Sequence, residues 1–355
     1  MGKTVSRKAD HVRICLEEDV EVGETGLDCI RLVHIPLPEV DCSEISTSCE
    51  AMGRSLKAPI LINAMTGGYD GANEINMSLA RAAQNHGIGL GLGSMRAMIE
   101  NRDMTRTYDV RDIAPDILLL GNIGIPQLLD DSFEPVFDAM ERIGVDGIAV
   151  HMNALQEATM PEGETDFAGG LQALSEFSKQ SKWPVVAKET GAGVPRETAI
   201  RIEEAGIEWL DIGGFGGTSF SAVESHRAKT PSDRGLATSF CQWGIPTAAS
   251  LFEARSSTNL RIIASGGIRS GLDVAKCMSM GADLVGSASP FLKALTRGEE
   301  ELSALIELMK TELVTAMFLT GSGTLPEFRQ SRIVISSWLR SWLKDRGLDV
   351  SRFAK

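Results

Sequence analysis

Val145-Asp146-Gly147-Ile148-Ala149-Val150 runs directly into His151-Met152-Asn153-Ala154-Leu155-Gln156-Glu157. The first half is a short apolar run of the kind that forms a buried strand. The second half sets an imidazole, two amides and a carboxylate in one short segment. Burying that many polar groups at a strand exit costs free energy unless each finds a partner, and exits that carry them commonly hold a ligand. Read alone, the segment fits a polar-capped helix start equally well. The decision rests on whether other strand exits look the same.

They do. A β-branched run, a polar or glycine-rich exit and a helical stretch recur along the chain. The spacing predicts strands over 59–63, 88–91, 117–121, 147–151, 184–188, 209–212, 261–265 and 284–286. Amphipathic helices are expected between them over 72–85, 133–143, 169–179, 195–205 and 272–280. Gly87, Gly144, Gly206 and Gly281 mark returns to strand. Alternation on this scale suits an α/β chain folded as a (β/α)8 TIM barrel. An open doubly wound sheet would gather its ligand loops near one switch point, whereas nearly every exit here is chemically loaded. Residues 1–55 read as an N-terminal extension contributing to the active site, 56–298 as the barrel, and 299–355 as C-terminal helices packing on the barrel or a neighbouring subunit. Residues 213–240 form a long Gly/Ser/Thr-rich loop after the sixth strand, and insertions of this length at a barrel mouth often act as lids. The terminal helices are expected over 299–318 and 331–343, where Trp338 and Trp342 stand four apart for packing or a subunit contact.

Composition narrows the function. The 355 residues are 43% hydrophobic and 23% charged, ordinary for a soluble globular protein. A net charge of −13 leaves no basic surface to displace phosphate counterions, which argues against a nucleic-acid partner but allows a local basic pocket. Cys15, Cys29, Cys42, Cys49, Cys241 and Cys277 have neither CxxC nor CxxH spacing and read as reduced thiols. No apolar run reaches spanning length and no signal-peptide core opens the chain, so a cytoplasmic protein without a membrane partner is expected.

The exits divide into two kinds. Early ones carry hydroxyls, amides and cations: Asn63-Ala64-Met65-Thr66-Gly67-Gly68, Ser94-Met95-Arg96, Gly121-Asn122, the histidine segment, and Lys188-Glu189. Converging donors and acceptors suit a flat heterocycle, and Lys188 can offset negative charge on a reduced ring. Late exits are glycine-rich: Gly213-Gly214-Phe215-Gly216-Gly217-Thr218, Ser265-Gly266-Gly267-Ile268-Arg269 and Gly286-Ser287-Ala288-Ser289. Free backbone N–H groups there bind phosphate, and barrels often place that site after strands seven and eight. Flavin mononucleotide fits both halves. Arg7, Lys8, Arg96 and His151 exceed what one phosphate needs and point to a second anionic ligand. Glu157 supplies a hard oxygen suited to Mg2+ bridging to substrate phosphates.

With these residues in hand, the chain closely resembles the type 2, flavin-dependent isopentenyl-diphosphate isomerases. The match rests on Arg7-Lys8 with His11, Met65-Thr66-Gly67-Gly68, Ser94-Met95-Arg96, Gly121-Asn122, His151-x-Asn153-x-x-Gln156-Glu157, Lys188-Glu189, Gly214-x-Gly216-Gly217-Thr218 and Ser265-Gly266-Gly267-Ile268-Arg269-Ser270-Gly271. The resemblance implies interconversion of isopentenyl and dimethylallyl diphosphate in isoprenoid biosynthesis, with reduced FMN, Mg2+, and NAD(P)H as the reductant that primes the flavin without net turnover. It implies FMN contacts at Ala64, Met65, Thr66, Ser94, Asn122, Lys188, Thr218, Gly267, Ile268, Arg269, Ala288 and Ser289. It implies substrate contacts at Arg7, Lys8, Arg96, His151, Asn153 and Gln156, with Glu157 on the metal. A homo-oligomer, tetramer or octamer, is expected.

A 1,3-allylic proton shift needs an acid and a base facing unactivated carbon, a task to which ordinary side-chain pKa values are poorly matched. N5 of reduced FMN is therefore the expected acid and base, with Gln156 orienting the alkene, Glu157 holding the diphosphate through the metal, and His151 and Asn153 supporting them. His11 and Glu224 are weaker candidates for proton handling or the clamp. The rivals are an FMN-dependent 2-hydroxy acid oxidase, an inosinate-dehydrogenase-like barrel and a non-catalytic flavin-binding barrel. The sixth exit, Asp211-Ile212-Gly213-Gly214, lacks the histidine the first requires, and no Gly-Ser-x-Cys loop serves the second.

Overall fold

The computed structural model describes residues 3–129, 132–349 and 351, with side chains from residue 7 onward. Its strands in chain order are β1 (Ile30–Leu32), β2 (Cys49–Ala51), β3 (Arg54–Leu56), β4 (Ile60–Ile62), β5 (Gly89–Gly91), β6 (Leu119–Gly124), β7 (Gly147–His151), β8 (Val185–Lys188), β9 (Trp209–Asp211), β10 (Arg261–Ser265), β11 (Leu284–Ser287) and β12 (Ile333–Ile335). The helices are α1 (Lys3–Glu17), α2 (Ala72–His86), α3 (Arg96–Glu100), α4 (Glu134–Ile143), α5 (Ala154–Thr159), α6 (Gly170–Gln180), α7 (Arg196–Glu204), α8 (Phe220–Arg227), α9 (Pro231–Ser239), α10 (Thr247–Ser257), α11 (Gly271–Ser279), α12 (Ser289–Leu295), α13 (Glu299–Phe318), α14 (Leu325–Phe328) and α15 (Ser337–Asp345).

Strands β4 to β11 are all parallel and form the expected closed barrel. Closure is made by β11 against β4, with Val285 beside Ile60 and Ser287 beside Ile62. Because both faces of these strands are covered, they read as near-continuous apolar runs rather than alternating ones. Leu61, Leu120, Ala149, Val186, Trp209, Ile263 and Leu284 pack inside the barrel, together with Ala51 and Leu56 of the β2–β3 hairpin. A side chain at Gly147, the first residue of β7, would meet Met52 of that hairpin, so the hairpin stoppers the end where strands begin. A second, larger core fills the space between strands and helices. Each fully buried Leu or Ile in these layers contributes roughly 1.5–3 kcal/mol. Gly87 and Gly144 end α2 and α4 in the left-handed region at φ 65° and 62°, where glycine carries no Cβ penalty.

Two segments differ from the sequence reading. The stretch 213–240 is not a plain loop but carries α8 and α9. Its Ser and Thr residues act as helix caps: Ser219 accepts from the Ala222 N–H, and Thr230 accepts from Asp233 ahead of Pro231. The stretch 331–343 is not one helix. Ile333 and Ile335 are buried and Val334 is exposed, so β12 follows a two-residue period and pairs antiparallel with β1. The helix α15 begins only at Ser337.

Candidate active site

One cavity at the C-terminal ends of the barrel strands is lined by Arg7, Lys8, His11, Ala64, Met65, Thr66, Ser94, Arg96, Asn122, His151, Asn153, Gln156, Glu157, Lys188, Thr218, Gly267, Ile268, Arg269, Ala288 and Ser289. The geometry therefore gathers the expected site residues at one opening. Glu224 lies just behind, its side chain fully buried.

The basic side comes from α1 and the exit of β5. Lys8 reaches inward, its Nζ donating to the Ser94 carbonyl at 2.5 Å and to the Tyr108 hydroxyl at 3.0 Å. Burial, followed by the nearby Arg7 charge, lowers the Lys8 ammonium to about 7. Arg7 lies against the Met160 sulfur. Arg96 pairs with Glu100 at 2.8 Å and Glu164 at 2.9 Å, both partly exposed carboxylates. His11 Nε2 lies 2.8 Å from Glu224 Oε1. That contact, between residues 213 apart in sequence, docks α1 onto α8.

The histidine segment is a relay of amides. His151 Nδ1 lies 2.7 Å from Asn122 Oδ1, so it carries the proton and donates, leaving Nε2 as an acceptor. Burial, then the charges of Lys188, Lys8 and Arg7, hold this ring at about 3. The cation-capable ring inferred from sequence is thus a neutral imidazole in this setting. Asn153 donates to Glu157 Oε1 at 2.8 Å and to Gln156 Oε1 at 3.3 Å, which pins both side chains. Gln156 in turn donates to Glu224 Oε1 at 3.2 Å. Burial raises the Glu224 carboxyl, but the His11 hydrogen bond and the Arg227 charge outweigh it and lower the pKa. The short contact of Arg227 with Glu224 continues to Glu162 at 2.7 Å.

The floor holds Lys188, whose Nζ pairs with Asp211 at 2.7 Å. Asn63 and Ser265 also donate to that buried carboxylate. On the glycine side, the backbone N–H groups of Gly267, Ile268, Ala288 and Ser289 have no acceptor among the described residues. A Cβ at Gly217 would lie 2.5 Å from the Gly267 nitrogen, so these loops pack backbone to backbone. Glu21 borders the same side, paired with Arg269 at 2.6 Å and Lys293 at 2.9 Å and accepting from Ser289. Burial pushes its carboxyl up, but the hydrogen bonds from Lys293, Arg269 and Ser289 prevail and bring it to about 2.

These residues fit FMN. Among the described residues Thr66 Oγ1 is buried without a partner at the cavity wall, and the unsatisfied amides of the late exits suit a phosphate. The fit to a metal is of a different kind. No group of three or more His, Cys, Asp or Glu able to hold an ion occurs among the described residues. Glu157 and Glu21 both line the cavity; Glu21 is taken up by Arg269 and Lys293, and Glu157 Oε2 accepts from the Glu164 N–H. A single carboxylate suits Mg2+ that takes its other ligands from water and substrate phosphate. The sequence reading passed over Asp211, Tyr108 and Glu21. The signal for Asp211 was an acid closing an apolar strand; for the other two, no local pattern exists.

A family model described as FMN-dependent dehydrogenase matches residues 151–335. An isopentenyl-diphosphate delta-isomerase of Pyrococcus furiosus is 46% identical, over 99% of this chain and 92% of that protein. A namesake from Archaeoglobus fulgidus is 44% identical, over 97% of this chain and 99% of that protein. Among solved structures, a flavocytochrome b2 double mutant with pyruvate bound aligns at TM-score 0.67 and 18% identity, covering 96% of this chain and 85% of that one. A mandelate oxidase variant aligns at TM-score 0.64 and 17% identity, covering 94% and 99%. These solved structures share the fold, whereas the two isomerases align along nearly the whole chain. The chain therefore belongs to the type 2, FMN-dependent isopentenyl-diphosphate delta-isomerase family.

Proposed function

We propose that this enzyme interconverts isopentenyl and dimethylallyl diphosphate by a 1,3-allylic proton shift, using reduced FMN and Mg2+, with NAD(P)H priming the flavin. Reduced FMN, when bound, supplies the proton donor and acceptor at N5. The observation that carries this reading is the shared cavity: Arg7, Lys8 and Arg96 line it together with the unsatisfied amides of Gly267, Ile268, Ala288 and Ser289. A single flavin phosphate leaves the cations of α1 and the β5 exit without a ligand, and a diphosphate substrate answers them.

The chain's residues divide the work. Arg7, Lys8 and Arg96 hold the diphosphate, and Arg96 exchanges its exposed carboxylate partners for the ligand. Glu157 would hold Mg2+, which would supply positive charge to offset that of the diphosphate. Gln156, fixed between Asn153 and Glu224, orients the alkene. Remote binding energy from the diphosphate then sets the hydrocarbon over the ring. Ala64, Met65, Thr66, Ser94, Asn122, Lys188 and Thr218 hold the ring and its tail. The protein works as a cytoplasmic homo-oligomer.

The test is anaerobic proton NMR in deuterated buffer of isopentenyl diphosphate with dithionite- or NADPH-reduced enzyme, with and without a chelator. Appearance of the dimethylallyl isomer, abolished by chelator, supports the reading. An inert yellow protein, or one that forms peroxide from a 2-hydroxy acid, overturns it. Gln156→Ala is expected to lower kcat by about a hundredfold or more while FMN content stays unchanged; unchanged turnover removes Gln156 from the mechanism.

A further inference from the structure

We propose that Asp211 is the positioning residue of the cofactor pocket: it aims the Lys188 ammonium at the flavin and serves as its counter-ion. The inference rests on the reading that FMN lies against Lys188.

Asp211 ends β9 with 1% exposure. Its Oδ2 accepts from Lys188 Nζ at 2.7 Å and Asn63 Nδ2 at 2.9 Å. Its Oδ1 accepts a short bond from Ser265 Oγ and a longer one from the Gly213 N–H at 3.2 Å. Lys188, Asn63 and Ser265 come from three other barrel strands or their exits, and each lines the cavity. Asp211 itself does not line it. The carboxylate is therefore a hub beneath the floor, joined to ligand-facing groups rather than to the apolar core.

Hydrogen-bond counting gives the hub its purpose. An ammonium has three N–H groups. Lys188 spends one on Asp211 and one on the Glu189 carbonyl at 3.2 Å. Among the described residues one donor is left, and tetrahedral geometry at nitrogen fixes its direction once the other two are held. Asn63 is held likewise, its Oδ1 accepting from the Ala64 N–H and one amide hydrogen given to Asp211. A purely structural role would be served as well by apolar residues of similar volume, since a buried ion pair roughly breaks even against them. Loss of the carboxylate alone would leave Lys188 free to swing and the floor with an unbalanced positive charge.

The experiment is a double-mutant cycle read by FMN titration and by the visible absorption band of the bound flavin, using Asp211→Asn, Lys188→Met and the two combined. Asp211→Asn is expected to weaken FMN by about tenfold and to shift the flavin band. In the Lys188→Met background the same change is expected to add nothing to either readout, because Asp211 acts through Lys188. Additive effects, or wild-type affinity and spectrum in Asp211→Asn, overturn the proposal. Should Asp211→Asn fail to fold, Ser265→Ala carries the same cycle while keeping the charge. It is expected to weaken FMN about threefold, with the effect lost in Lys188→Met; additivity there overturns the proposal equally. A wild-type protein that takes up no FMN sinks the cofactor reading itself, a result distinguishable from a folded flavoprotein in which the cycle is additive.

Discussion

Burial lowers the Lys8 ammonium to about 7 from an ordinary 10.5, with Arg7 next in effect, so this side chain changes charge across neutral pH. The direction for ligand binding follows from linkage. A diphosphate beside Lys8 favours its protonated form and raises its pKa. The Lys8 contribution to affinity is thus complete below about pH 7 and is lost as pH rises from there to the raised pKa of the complex. Inorganic diphosphate, titrated calorimetrically from pH 7 to 9, is expected to bind more weakly with each step, by at most about tenfold per unit. Lys8→Met is expected to flatten the profile; an unchanged slope in that variant would place the titration elsewhere. Stability runs the other way. The unfolded chain binds the extra proton between pH 7 and 10.5, so burying Lys8 costs most below pH 7 and nothing above 10.5. Arg7 and Lys8 were recognisable by resemblance, whereas the Tyr108 hydroxyl that receives Lys8, 100 residues away in sequence, had no local mark.

The pairing of α1 with α8 governs the substrate side of the mouth. Composition suggested a loop for 213–240, because Ser, Thr and Gly read as turn formers until the N–H donors that cap to their hydroxyls are known. Folded as α8, the segment presents Glu224 to His11, Gln156 and Arg227 together. Glu224→Gln removes one charge from a buried ion pair, and such losses cost about 3–5 kcal/mol. A urea melt is expected to lie near the lower end, because the isosteric amide retains some hydrogen bonding. Hydrogen–deuterium exchange is expected to quicken over residues 7–17 more than over the barrel strands, and KM for the diphosphate to rise while FMN affinity holds. Uniform loosening of the whole chain would show that Glu224 supports the fold and not the arm.

At the scale of the molecule, both flanking segments close on each other. Strand β1 pairs with β12, and Trp342 and Arg346 of the last helix and its cap reach the buried Glu253 of α10 at 2.9 and 3.0 Å. Trp338 and Trp342 sit edge to face, so both expected packing residues are used within the chain. Removing residues 331–355 takes away Ile333, Ile335, Leu339 and Leu343, all at 5% exposure or less, and uncovers the surface they pack against. The loss is roughly 6–12 kcal/mol against a typical total of roughly 5–15 kcal/mol. The truncated chain is expected to lack a cooperative thermal transition and near-ultraviolet circular dichroism. A sharp melt with FMN still bound would contradict that assignment of stability. The barrel and its loaded exits were readable in advance because strand and helix periods, glycine stops and apolar runs are local properties of consecutive residues. The Asp211 hub, the neutral His151, the Glu21–Arg269 pair across 248 positions and the β1–β12 ribbon were not. Each depends on which distant strand ends meet, and that register emerges only when the eight strands close and their side chains compete for the same buried donors and acceptors.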